Sequence, residues 1–141
     1  MSKALLVIGG VLNSLFFLLH LVLGYQIHNL TQLASGYRGL LQALNVGGVL
    51  FIFFFVFVSF FCQAELLETK LGRAVLVLVS ALYLSRAVEE FFLFNFNLVI
   101  FVSCTLTGII YVALLVIASQ DAVAEKSQLP RSSPPLARSL P

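Results

Sequence analysis

Charge is what this sequence has least of. Asp, Glu, Lys and Arg make up 10% of its residues, against about 25% in a soluble domain, while 60% are hydrophobic and the mean hydropathy is +1.06. That shortage excludes an ordinary water-soluble globule. The net charge of +2 is too small to argue for a nucleic-acid partner, and none is expected. Cysteine is scarce as well. Cys62 and Cys104 fall near opposite faces of a membrane, roughly 21 Å apart in depth, which no disulfide spans. Both read as small side chains packed inside or facing lipid. No nucleophile motif, phosphate-cradling glycine loop or metal-ligand cluster occurs, so no catalytic residue, metal ligand or cofactor is assigned. The four prolines all lie from Pro130 onward, among Ser and Arg, and residues 119–141 read as a disordered cytoplasmic tail.

What is present is apolar sequence in long runs. Four of them reach the roughly 20 residues that a helix needs to cross a bilayer, at about 4–24, 40–62, 71–94 and 98–118. Only closed helices satisfy the backbone in hydrocarbon, which rules out sheet for these runs. A cleaved signal peptide is the rival reading of the first, which follows Lys3, but no small-x-small cleavage site comes after it. Residues 25–39 are the longest internal loop, with apolar residues every third position at Ile27, Leu30 and Leu33 that fit a short interfacial helix. Residues 63–70 read as a short charged turn, and 95–97 as a very short one. Such connections force antiparallel neighbours, so the expected fold is all-α: an integral-membrane up-down four-helix bundle over residues 1–118.

Small and polar residues line up on single faces of the runs. They do so at Gly9, Asn13, His20 and Gly24; at Gln42, Asn45, Gly48 and Ser59; and at Asn97, Cys104, Gly108 and Tyr111. Seams of this kind let membrane helices approach and hydrogen-bond. The seven phenylalanines between Phe51 and Phe61 read as lipid contact and packing. With four spans both termini share a side, which holds Lys3, Lys70, Arg73, Lys126, Arg131 and Arg138. The other side has Arg38 and, within the membrane, Arg86. This bias predicts cytoplasmic termini.

One segment breaks the pattern. Arg86, Glu89 and Glu90 sit inside the third run, where a charge costs about 2.5–3.5 kcal/mol at the helix centre and so needs a partner. At roughly 100° per residue, Tyr83, Arg86, Glu89 and Glu90 fall within an arc of about 120°. Arg86 can then reach Glu89 or Glu90 at i,i+3 and i,i+4. Topology puts His20, Gln42, Asn45, Arg86, Glu89, Glu90, Asn95 and Asn97 in the same, extracytoplasmic leaflet, within roughly 12 Å of its surface. The candidate ligand-binding residues are His20, Asn45, Arg86, Glu89 and Glu90.

Several functions fit that convergence. The cluster could be a structural salt-bridge knot. It could line a site for a lipid-like or small amphipathic ligand, or dock a partner subunit. A membrane enzyme could use His20 with a Glu as acid–base pair on a lipid or quinone. An accessory subunit of a larger membrane complex is the fourth reading. A proton path lacks a chain of ionisable residues through the cytoplasmic half, where only Asn13, Ser59, Ser80 and Tyr111 lie. A bis-histidine haem needs two facing ligands; His20 and His28 lie on one segment, so a single subunit does not build it.

At Leu44-Asn45-Val46, and from Glu65 through Arg73 to Leu84-Ser85-Arg86-Ala87-Val88-Glu89-Glu90, the chain resembles a family of small uncharacterised bacterial four-helix membrane proteins. The resemblance covers about residues 5–118. It implies a bacterial inner-membrane location and the same four-span layout, and it implies no activity.

Overall fold

The computed structural model describes residues 2–92 and 96–128. The apolar runs close into four long helices, α1 (Ser2–Asn29), α2 (Ser35–Phe61), α4 (Lys70–Phe92) and α5 (Leu98–Gln128), with a short α3 (Gln63–Glu68) between α2 and α4. There is no strand among the described residues. All four long helices are long and apolar enough to cross a membrane. The fold is the all-α four-span bundle.

The helices outrun the expected spans because their ends are satisfied locally. Most of the loop expected at 25–39 is helix: α1 continues to Asn29 and α2 begins at Ser35. Ile27 is buried, extending the inward face of Asn13, Phe16 and Gly24 by another turn. Asn29 donates its side-chain amide to the Tyr25 carbonyl at 3.0 Å, and Leu30 closes the end by bonding to the Ile27 carbonyl. Similarly, α5 runs ten residues past the expected boundary at 118, to Gln128. The part of the tail at 129–141 lies outside the described residues, as does the stretch 93–95.

The segment expected as a charged turn at 63–70 is mostly α3. Thr69 separates it from α4, with extended backbone angles (φ −96°, ψ 155°). Its hydroxyl accepts the Gly72 amide at 2.8 Å and donates to the Glu65 carbonyl at 2.7 Å. One side chain thus caps the start of α4 and the end of α3. Gly72 lets the two helices meet, since a Cβ there would lie 2.0 Å from the Glu65 carbonyl oxygen.

The helices pack as two antiparallel hairpins, α1 with α2 and α4 with α5, which join along α1 and α5. The seams do this work. Gly24 lies against Asn45, Gly48 against His20, Gly108 against Leu84, and Gly9 against the Tyr111 ring. The core holds Leu6, Phe55, Leu76, Val79 and Leu114. Outside it, Phe51, Phe53, Phe54, Phe57 and Phe61 stay exposed, as side chains facing acyl tails would.

Candidate functional site

The deepest polar residues assemble first. Asn13, wholly buried, donates to the Gly9 carbonyl at 3.0 Å and to the Tyr111 hydroxyl at 2.6 Å. Tyr83 donates its hydroxyl to Asn13 Oδ1, and Ser59 and Tyr111 share a hydroxyl–hydroxyl bond of 2.7 Å. One network therefore joins α1, α2, α4 and α5 where hydrocarbon would otherwise leave each group unpaired. Ser80, at similar depth, bonds back to the Leu76 carbonyl instead.

Above this network, toward the end of the bundle that carries the α1–α2 and α4–α5 turns, the hairpins part around a cavity of about 640 Å³. All four long helices line it, among others through His20, Gly48, Arg86 and Cys104, and Tyr83 forms part of its floor. Leu19, Val22, Leu23, Phe51, Leu78 and Leu82 also line it, and each keeps 41–55% of its surface exposed. These six side chains place the mouth on the flank of the bundle, among the surfaces that meet hydrocarbon.

His20 is held by its Nδ1, 3.0 Å from the Phe16 carbonyl oxygen. A carbonyl only accepts, so Nδ1 carries a proton, and the neutral tautomer that matches this contact has Nε2 as its acceptor. Gly48 makes room for the imidazole: a Cβ there would lie 3.3 Å from its Cδ2 and 3.6 Å from its Nε2.

Arg86 bonds Glu90 at 2.6 Å and lies 4.0 Å from Glu89. Burial grades across the arc, with Glu90 at 1%, Arg86 at 34% and Glu89 at 43% side-chain exposure. Glu90 also accepts the Asn97 backbone amide at 3.2 Å. The Asn97 side chain in turn accepts from Val99 and Ile100, which caps α5. Glu90 thus completes the start of α5, where a helix end favours negative charge, and holds Arg86 against the cavity from behind.

The five candidate residues therefore separate. His20 and Arg86 line one cavity; Glu89 and Glu90 do not. Asn45 lies on the far side of His20 and donates to the His20 carbonyl at 3.1 Å. With Gln42 and His28 it lines a smaller groove of about 340 Å³ between α1 and α2, which His20 also borders. Asn95 lies outside the described residues. No three His, Cys, Asp or Glu side chains converge as a metal site among the described residues. Sequence reasoning missed Gly48 and Tyr83 as cavity walls, though both stood on the polar faces it identified.

No protein-family model, curated protein or solved structure matches the chain. Its site is read from its own chemistry.

Proposed function

We propose that this is a multi-pass membrane protein that binds a lipid-like or small amphipathic ligand in the cavity between its two hairpins. The single observation behind this reading is an apolar, flank-opening chamber of about 640 Å³ with His20 and Arg86 in its wall. That volume lies within the range of about 300–1,000 Å³ of pockets that hold drug-sized ligands. It suits one chain of an amphiphile; a two-chain lipid would leave the other chain in the bilayer. The basic-residue bias assigns this half of the bundle to the extracytoplasmic leaflet and the termini to the cytoplasm. The bacterial inner membrane is the location implied by the resemblance.

The enzyme reading has less support. His20 is engaged by Phe16 at Nδ1, and among the described residues no carboxylate lines the chamber to pair with it. The knot reading fits Glu90, which caps α5, but not the chamber beside it.

Native mass spectrometry of protein extracted with its lipids tests the proposal. Wild type should retain an amphiphile, and Gly48→Leu, which fills the chamber beside His20, should lose it while remaining folded. Equal retention by both, or no retained molecule in wild type, would overturn the reading.

A further inference from the structure

We infer that the chamber selects an amphiphile whose head is an uncharged hydroxyl donor, of the fatty-alcohol or phenol type, over one bearing a carboxylate or an ammonium. The inference rests on the binding proposal above and adds the class of head group. It follows from two features of the wall. The first is the His20 tautomer. Because Nδ1 is spent on the Phe16 carbonyl at 3.0 Å, the remaining nitrogen of the neutral ring is an acceptor, and Gly48 leaves space beside it. An acceptor in an apolar chamber rewards a donor, and a hydroxyl supplies one without bringing charge into low dielectric.

The second feature is the charge around Arg86. Among the described residues it is the only charged side chain in the wall, and its guanidinium is already matched by Glu90 at 2.6 Å, with Glu89 at 4.0 Å. One cation against two carboxylates leaves the cluster with an excess of negative charge. An incoming carboxylate would be desolvated beside that excess and would compete with Glu90 for Arg86. An ammonium would be desolvated in an apolar chamber whose wall holds a guanidinium and no carboxylate among the described residues. A hydroxyl incurs neither penalty.

The test uses full-length protein in micelles containing equal mole fractions of cetyl alcohol, cetyl methyl ether, palmitate or cetylamine at neutral pH, with occupancy read by native mass spectrometry. The alcohol should exceed its methyl ether about tenfold, the ratio that one hydrogen bond supplies, and should exceed the two charged probes by more. His20→Phe should bring the alcohol down to the level of the ether, and His20→Gln, which retains an acceptor, should restore part of the preference. Palmitate or cetylamine binding best, or alcohol and ether binding alike, would overturn the inference and leave the chamber reading intact. Failure of every probe to bind would overturn both. Should His20→Phe not fold, the ranking of the four probes on wild type still decides.

Discussion

Two residues carry most of the buried polarity, and each makes a distinct prediction. Asn13 serves Gly9, Tyr83 and Tyr111 at once. Asn13→Leu takes the Asn13 partner from both tyrosine hydroxyls, though Tyr111 keeps Ser59, and should destabilise the protein by about 1–3 kcal/mol, since membrane hydrogen bonds are individually modest. Ser59→Ala removes only the outermost link and should cost less; unfolding in micelles measures both. Glu90 is the other. Arg86→Met leaves its carboxylate buried and without its cation, a change that costs about 3–5 kcal/mol in buried pairs. Replacing Arg86 and Glu90 together by Met should recover much of that loss. If Arg86→Met alone matched wild type in stability, the pair would not be what keeps Glu90 in place.

At the scale of helices, the sharpest constraint is the contact of α3 with α4. Gly72→Ala would place a methyl carbon 2.0 Å from the Glu65 carbonyl oxygen and 2.5 Å from Leu66 Cα, both backbone atoms that no side-chain rotation relieves. We expect it to dislodge α3, seen as faster amide exchange over Gln63–Glu68 and a lower unfolding temperature, while Gly36→Ala, with open space around it, should be neutral. Elements of this kind show where the sequence was legible and where it was not. Hydropathy located the four spans because length and apolar content alone decide them. The faces were legible too, as Gly24 against Asn45 and Gly48 against His20 show. Helix ends were not, because Thr69 and Asn97 cap through side-chain bonds to neighbours two to four residues away, and Ile27 is buried by packing, none of which hydropathy encodes. Nor was the rotation of α4 about its axis, which buries Glu90 and leaves Glu89 outside. That rotation separates Arg86 in the chamber wall from Glu90, which caps α5, and from Glu89, which stays outside.

For the molecule as a whole, the orientation proposed from the basic-residue bias can be checked. In a background without Cys62 and Cys104, Thr31→Cys in the α1–α2 turn should react with a membrane-impermeant thiol reagent added to intact cells. Gln120→Cys, near the far end of α5, should react only after the membrane is opened. The reverse pattern would place the chamber in the other leaflet. The flank-facing mouth has its own consequence for how binding is to be measured. A guest that enters sideways comes from the bilayer rather than from water, so its effective concentration is the number of guest molecules per surrounding lipid. Diluting vesicles with buffer should then leave the chamber as full as before, whereas fusing them with blank lipid should empty it.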